Sequence, residues 1–142
     1  MEALKISLSA LDVEWQRLQV IAQNLANMNS TRNDAGEIFR PISLISGPDL
    51  TFAQMVSLGG QPSAPVGVKV IALEPQSDGI RRTYDPSHPS ADASGFVSKV
   101  NIDHAQEMTL MIKTSRAYEA NLTAATIAQQ MYNRALEIGR QS

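Results

Sequence analysis

Residues 3–27, ALKISLSALDVEWQRLQVIAQNLAN, decide the fold of this chain. Apolar residues recur here in alternating steps of four and three, the heptad spacing with which a helix packs along a partner helix. This first row consists of Leu4, Leu8, Leu11, Trp15, Leu18, Ala22 and Leu25. A second row, Ile6, Val13 and Val20, lies about half a turn away at about 100° per residue. The stretch therefore predicts a helix that is apolar on two opposite faces.

The C-terminal segment, residues 103–139, repeats this design. One row, with two polar interruptions, consists of Met108, Met111, Ser115, Tyr118, Leu122, Ala125, Gln129, Tyr132 and Leu136. The opposite row consists of Ala120, Ala124, Ile127, Met131 and Ile138. A helix that is apolar all round must be buried all round, and the sequence contains no third long helix. One apolar row alone would indicate an ordinary hairpin packed on the middle segment, but two opposed rows on both helices favour cover by other subunits.

The predicted fold class is α+β. The long N- and C-terminal helices are expected to pair as an antiparallel hairpin or coiled coil in a tubular assembly, with a small β-rich module between them. The predicted boundaries place the first helix in residues 1–30, the β-rich module with long loops in residues 31–100, and the second helix in residues 101–142. Asparagine, serine, aspartate and glycine crowd residues 27–36 and predict that the first helix ends there.

Within the middle module, alternating apolar residues make 66–71 the clearest predicted strand, with weaker strands at 39–45 and 80–84. Loops are predicted around Gly59, Gly60, Pro62 and Pro65, and from Tyr84 to Gly95.

The second helix is predicted to start at Asp103. This residue is an expected N-cap, with Gln106 three residues on in a box-like arrangement. Gly139 is the expected C-cap of the same helix.

Composition excludes several classes of function. Twelve basic and 14 acidic residues are scattered without blocks, so neither nucleic acid nor an anionic membrane surface is an expected partner. The absence of cysteine excludes disulfides, thiolate metal sites and thiol redox chemistry. The sequence contains no apolar run of about eighteen residues, which is the length needed for membrane insertion. The N-terminus also lacks the basic and apolar regions of a cleaved signal peptide.

Catalytic motifs are absent from the sequence. No serine lies in a nucleophile elbow, and there is no phosphate-binding loop or dinucleotide fingerprint. Asp85, His88 and Asp92 share one loop, where an imidazole and two carboxylates offer a metal site and hence a metal-dependent hydrolase as an alternative. The same loop contains Pro86, Pro89 and Gly95 and suits a rigid structural turn equally well. We expect a protein that is not an enzyme and has no metal or cofactor.

Four motifs carry a resemblance to a known family. Residues 24–32, NLANMNSTR, resemble the asparagine-rich end of the first helix in bacterial flagellar axial proteins. Residues 84–97, YDPSHPSADASGFV, resemble the middle motif of the FlgC family of proximal-rod proteins, which is more restrictive. Residues 115–121, SRAYEAN, and 135–140, ALEIGR, are similar to the C-terminal helix of that family. The resemblance therefore extends over nearly the whole chain.

The resemblance implies a structural subunit of the flagellar basal-body rod, the shaft that crosses the periplasm and transmits motor torque. It implies partners among copies of this chain and other rod proteins, and export by the flagellar type III apparatus without a cleaved signal peptide. The family builds its inner tube from the terminal helices and places the β module outside. No ligand or cofactor is implied.

The expected subunit-interface residues come from the apolar rows. They are Leu4, Leu8, Leu11, Trp15, Leu18 and Leu25 on the first helix, and Met111, Tyr118, Leu122, Ile127, Met131, Tyr132 and Leu136 on the second. Asn24 and Asn27 are expected to cap or cross-link helices through their side-chain amides, which both donate and accept hydrogen bonds. The alternative function is a soluble scaffold or adaptor whose helical hairpin binds one amphipathic partner helix, which requires only one exposed row.

Overall fold

The structure, a computed structural model, describes residues 2–30, 36–51, 53, 56 and 66–140. In these residues the order of the main elements is α1 Glu2–Ala26, β1 Ile42–Pro48, β2 Val68–Pro75, β3 Ile80–Tyr84, β4 Phe96–Val100 and α2 His104–Arg140. The two helices pack along each other, and both β1 and β2 pack on α1. The predicted α+β class, with long terminal helices and a small β-rich middle, is confirmed.

The strands of the described residues form two small antiparallel sheets, one of β1 with β2 and the other of β3 with β4. The β1–β2 register shifts between Ile45 and Ser46, which pair with Ala72 and Val70, so Ile71 is an extra residue in β2. In the second sheet the pairing is regular from Ile80 with Val100 to Tyr84 with Phe96. The contact between the two helices is the most extensive one between elements and organises the chain.

The predicted strands agree with the structure to different degrees. Residues 80–84 form β3 as predicted, whereas β1 and β2 start two or three residues later than predicted and extend further. Strand β4 was not predicted, because its buried residues are Val97 and Val100 and this spacing lacks the alternation that marks a half-buried strand. The predicted loop around Gly59, Gly60, Pro62 and Pro65 lies outside the described residues.

The start of α2 follows the sequence prediction. Asp103 caps the helix, because its Oδ1 atom accepts hydrogen bonds from the backbone N–H groups of Ala105 at 2.9 Å and Gln106 at 3.2 Å. Its predicted end is wrong, since α2 continues through Gly139 to Arg140. In the described residues the glycines with positive φ are Gly36 and Gly95, so Gly139 does not form a left-handed C-cap. One glycine weakens a helix by about 1 kcal/mol, which is too little to end one of this length.

The first helix ends in the asparagine-rich segment, as predicted. The Asn27 side-chain amide donates to the carbonyl of Gln23 at 2.8 Å, and the Ser30 hydroxyl donates to the carbonyl of Asn27 at 2.7 Å. Both carbonyl groups also accept backbone hydrogen bonds, from Asn27 N–H at 3.2 Å and from Ser30 N–H at 3.0 Å, so the side chains reinforce the last turn of α1. The remainder of the predicted turn, residues 31–35, lies outside the described residues.

The core is thin and is divided among the two helices and the strands. The buried apolar residues of the described chain are Val13, Ile21, Leu44, Leu50, Val97, Val100 and Ala125. Ile21 and Val97 are each 1% exposed and are the largest apolar side chains that are fully buried. Asn24 is buried to the same degree, at 2% exposed, so a polar side chain lies among the best protected residues.

Replacement of Asp103 tests the cap of α2. Asp103→Ala should lower the free energy of unfolding by about 1 kcal/mol, because two backbone N–H groups in the first turn lose their acceptor. Urea denaturation followed by circular dichroism measures this change. Asp103→Ser is the matched control and should remain near wild type, since serine is also a good N-cap. Equal losses in both variants would contradict the capping role.

Candidate assembly surfaces

The two helices form an antiparallel pair. Near its middle, the rings of Trp15 and Tyr118 lie with centroids 6.4 Å apart and a tilt of 49°. Towards the start of α1, a cleft of about 300 Å³ lies between the two helices and is lined by Ala3, Leu4, Ala128, Met131 and Tyr132. Residues early in α1 therefore lie beside residues late in α2, which confirms the predicted hairpin.

The contact between the helices uses small and polar side chains. The buried residues of α2 are Glu107, Thr114 and Ala125, and Ser7 is buried on α1. The large apolar side chains beside this contact, such as Leu4 and Tyr118, are only half-buried. Much of the large apolar surface of α2 consequently lies outside the hairpin.

The predicted opposite row of α2 is exposed. Ile127 is 51% exposed, Met131 is 67% and Ile138 is 69%. At about 100° per residue, these three side chains lie roughly 100–160° around the helix from the buried Thr114 and Ala125. Met131 also borders the cleft lined by Ala3 and Leu4 of α1, so α1 reaches this row only at its edge.

The C-terminal part of α2 extends past the start of α1. Helix α2 has 37 residues and α1 has 25, a difference of about 18 Å at 1.5 Å per residue. Tyr132 and Leu136 lie on the side of α2 that faces α1 earlier along the helix. Tyr132 is nevertheless 42% exposed and Leu136 is 50% exposed. The inner row of α2 thus continues beyond its partner.

On α1, the second row has a partner in the same chain. Val13 is 4% exposed, and Ile6 and Val20 are half-buried. On this side of α1, Arg17 donates to the carbonyl of Leu44 at 3.3 Å and to the hydroxyl of Ser46 at 2.9 Å. The expectation that other subunits must cover both faces of α1 is therefore wrong for this row, because β1 and β2 pack on it.

The β2 strand is also tied to α1. The Ser9 hydroxyl accepts a hydrogen bond from the backbone N–H of Val68 at 3.1 Å, and it donates to the carbonyl of Ile6 at 2.8 Å. A Cβ atom on Gly67 would lie 2.6 Å from the Ser9 hydroxyl, so the chain approaches the helix closely at this point. Both strands of the first sheet are therefore fixed to the second row of α1.

The first row of α1 lies beside the contact with α2 and is partly exposed to solvent. Leu8 and Trp15 are each 52% exposed. They line a shallow cleft of about 340 Å³ with Leu11, Asp12 and Tyr118, which we call the α1–α2 groove. The groove is apolar apart from the Asp12 carboxylate and the Tyr118 hydroxyl.

The predicted interface residues fall into three groups. The exposed members are Leu8, Trp15, Leu122, Ile127, Met131, Tyr132 and Leu136. The half-buried members are Leu4, Leu11, Leu18, Leu25, Asn27, Met111 and Tyr118. Asn24 is the buried member and makes its hydrogen bonds within this chain.

Asn24 joins α1 to the first strand. Its Nδ2 atom donates to the carbonyl of Ile42 at 2.9 Å, and its Oδ1 atom accepts from the backbone N–H of Ile42 at 3.0 Å. One side-chain amide thereby satisfies both backbone groups of a residue at the start of β1. The sequence indicated a cross-link at Asn24 but gave no signal that its partner is a strand.

Glu107 is a buried carboxylate at the same junction. It is 7% exposed, and its Oε2 atom has no hydrogen-bond partner in the described residues. Burial raises the pKa of Glu107 above its ordinary value, and hydrogen bonds from the side chains of Asn24 and Gln76 oppose that rise only partly. Sequence reasoning missed this residue, because a glutamate on a long helix is usually solvated.

The loop between β3 and β4 is a rigid turn built around Asp92. Its Oδ1 atom accepts from the backbone N–H groups of Ser94 at 2.9 Å and Phe96 at 3.0 Å, and its Oδ2 atom pairs with Arg82. The Phe96 hydrogen bond is the main reason that the pKa of Asp92 is lowered, with Ser94 and Arg82 adding to the effect. Gly95 supports the turn with a φ of 79°.

The three residues of the metal-site alternative serve this turn. Asp92 binds the backbone and Arg82, the His88 Nδ1 atom accepts from the backbone N–H of Ser90 at 3.1 Å, and Asp85 accepts from the Ser87 hydroxyl at 2.8 Å. No group of three or more potential metal ligands occurs in the part of the chain that the structure describes. The geometry supports a structural turn over a hydrolase site.

None of the described helices combines the length and apolar character needed to cross a lipid bilayer. The exposed apolar rows of α2 are instead interrupted by charged and polar residues along the helix.

The hairpin with exposed apolar rows is the arrangement of an assembly subunit, and comparison with known proteins gives the class. Residues 93–138 match the family described as flagellar basal body rod FlgEFG protein C-terminal. This match spans most of α2 together with β4.

Relatives that match over almost the full length define the family. The chain is 34% identical to the flagellar basal-body rod protein FlgC of Bacillus subtilis, with 97% of each chain covered. It is 33% identical to FlgC of Aquifex aeolicus, covering 95% of this chain and 93% of that protein. Identity to FlgC of Borreliella burgdorferi is 30%, over 96% of this chain and 95% of that protein. The chain belongs to the FlgC family of flagellar basal-body rod proteins, which confirms the resemblance seen in the sequence.

Glu107→Gln tests the buried carboxylate. The pKa of Glu107 is higher in the folded than in the unfolded chain, so its contribution to stability is fully present below the unfolded value of about 4.5. That contribution is lost as pH rises through the folded pKa. At pH 7 the neutral glutamine should therefore raise the melting temperature and flatten the pH dependence of stability above pH 4.5.

Calorimetry at several pH values measures this effect. Glu119→Gln is a suitable control, because Glu119 lies on the same helix and is exposed. A lower melting temperature for Glu107→Gln at pH 7 would mean that the charged carboxylate stabilises the junction.

Proposed function

We propose that this chain is a structural subunit of the proximal rod of the bacterial flagellar basal body and that it polymerises through its terminal helices. The observation that carries the proposal is the exposed apolar row of α2, with Ile127 51% and Met131 67% exposed after the chain has folded. Membership of the FlgC family supports the same function, since the relatives are named as basal-body rod proteins.

In this proposal, residues 1–30 and 101–142 form the rod core and residues 31–100 form a module outside it. The internal contacts support this division, because the strands pack on one side of α1 while α2 leaves its opposite side uncovered. The interface consists chiefly of the exposed members of the predicted set, from Leu8 and Trp15 on α1 to Leu136 on α2. Asn24 contributes indirectly, by holding the β module on α1.

The role is mechanical. The chain acts without catalysis as part of the shaft that crosses the periplasm and drives motility, with copies of itself and other rod proteins as partners. It reaches the rod through the flagellar type III export apparatus. Burial of large apolar side chains by neighbours provides the free energy of assembly, at about 25 cal/mol per Å² of apolar surface removed from water.

A scaffold that binds a single partner helix agrees less well with these surfaces. Such a protein needs one exposed row, whereas Leu122 and Ile127 are both about half exposed and lie on different sides of α2. Several neighbours are required to cover both sides.

Met131→Asp tests the proposal in cells that lack the native copy of this chain. A charge at this 67% exposed position should leave the monomer folded but prevent burial of the opposite row of α2. Swimming and the amount of this chain in isolated basal bodies should both fall strongly. Motility in soft agar and immunoblots of purified basal bodies are the measurements. Circular dichroism checks that the monomer is folded.

Asn133→Asp is the matched control. It adds the same charge two residues away at an exposed polar position outside the row, and it should incorporate normally. Wild-type rod content in the Met131→Asp strain would contradict an interface on this face.

A further inference from the structure

The outer side of α2 combines apolar residues with one sign of charge. It is formed by Lys113, Arg116, Ala120, Ala124, Ile127, Met131 and Arg134. At about 100° per residue these seven side chains fall within a sector of about 80° that contains no acidic residue. We call this sector the outer face. The ion pairs found in the described residues involve other side chains, so its three cations are available to a partner.

The α1–α2 groove has the complementary character. It is lined by Leu8, Leu11, Trp15 and Tyr118, and its single charged residue is the acidic Asp12. Leu8 and Trp15 are each 52% exposed, so the apolar lining is accessible. A surface of exposed apolar side chains flanked by cations therefore complements this groove in apolar character and in charge.

The two surfaces lie on different sides of the hairpin. Tyr118 on the groove is about 160° around α2 from the centre of the outer face. One copy can consequently use its groove for one neighbour and its outer face for another. Contacts of this head-to-tail kind do not close on themselves and generate a helical array.

Pairing of like surfaces is disfavoured by charge. Two outer faces in contact would bring Lys113, Arg116 and Arg134 against the same three cations of the other copy. Two grooves in contact would bring Asp12 against Asp12. Like charges brought together at an interface disfavour association, whereas the mixed pairing places opposite charges together.

We propose that the outer face of one copy docks in the α1–α2 groove of a second copy, with Ile127 and Met131 against Leu8 and Trp15, and Arg134 beside Asp12. This inference rests on the proposed function and specifies which surfaces join neighbouring subunits. It identifies the occupant of the groove as another copy of this chain.

One-sided variants of the full-length chain test the pairing. Leu8→Arg destroys the groove, since it removes an apolar contact and adds a cation, but leaves the outer face intact. Met131→Asp destroys the outer face and leaves the groove intact. Each variant alone should be monomeric by analytical ultracentrifugation, and an equal mixture should form a dimer of one copy of each. Wild type at the same concentration should form larger species.

Charge exchange tests the polar part of the contact within that mixed dimer. Arg134→Glu added to the Leu8→Arg chain should weaken the dimer about tenfold at low salt. Asp12→Arg added to the Met131→Asp chain should have a similar effect. The two changes together should recover most of the affinity, because the pair of charges has only been reversed.

Dimers of Leu8→Arg alone would overturn the proposal, because they would show that outer faces pair with each other. A mixture that remains monomeric while wild type associates would overturn it as well. If purified wild type stays monomeric, cysteine cross-linking in isolated basal bodies tests the same pairing within the rod. Because the chain has no cysteine, co-expressed Leu8→Cys and Met131→Cys copies can form a disulfide only between engineered sites.

Absence of that cross-link would overturn the proposed pairing. If Met131→Asp still abolished rod incorporation in the same cells, the rod function would stand and a different rod protein would occupy the outer face. If Met131→Asp incorporated normally, the proposed function itself would fail at this face.

Discussion

The structure depends on the amount of apolar surface on the two helices, which is larger than the rest of the chain covers. The fully buried residues of α1 and α2 include short or polar ones such as Ser7, Thr114 and Ala125, while many large apolar side chains of both helices remain half-buried or exposed. The first sheet, of β1 and β2, covers one side of α1, and the outward side of α2 remains exposed. Because apolar burial is the main favourable contribution to association, this uncovered surface makes the chain a component of something larger.

The β module is attached to the hairpin by polar contacts. Arg17, Ser9 and Asn24 each bind a backbone group of β1 or β2, and Asn24 satisfies both groups of Ile42. A buried carboxylate, Glu107, adds a desolvated charge where α1, α2 and the β2–β3 connection meet. Buried polar groups of this kind define one arrangement because few other arrangements satisfy them. The module is thereby held at one orientation on α1, clear of the exposed side of α2.

Much of the fold followed from local chemistry. Heptad spacing predicted both helices, Asp103 marked the start of α2, and residues 80–84 were recognised as a strand. These features depend on neighbours along the chain, which a sequence displays directly. Strand β4 was missed because Val97 and Val100 are buried by tertiary contacts at a spacing that imitates a helix. The end of α2 was misplaced because the other residues of this long helix outweigh the helix-weakening effect of Gly139.

The sequence by itself determined the two-faced character of both helices, the family and the short list of candidate interface residues, because periodicity and motifs are properties of the chain. Tertiary structure alone decided which faces remain free. It showed that the chain's own strands cover Val13 and its row, that Asn24 bonds inside one chain, and that Ile127 and Met131 face outward. The physical reason is that a pattern of apolar residues specifies a need for burial, whereas the source of that burial depends on which distant segments pack there.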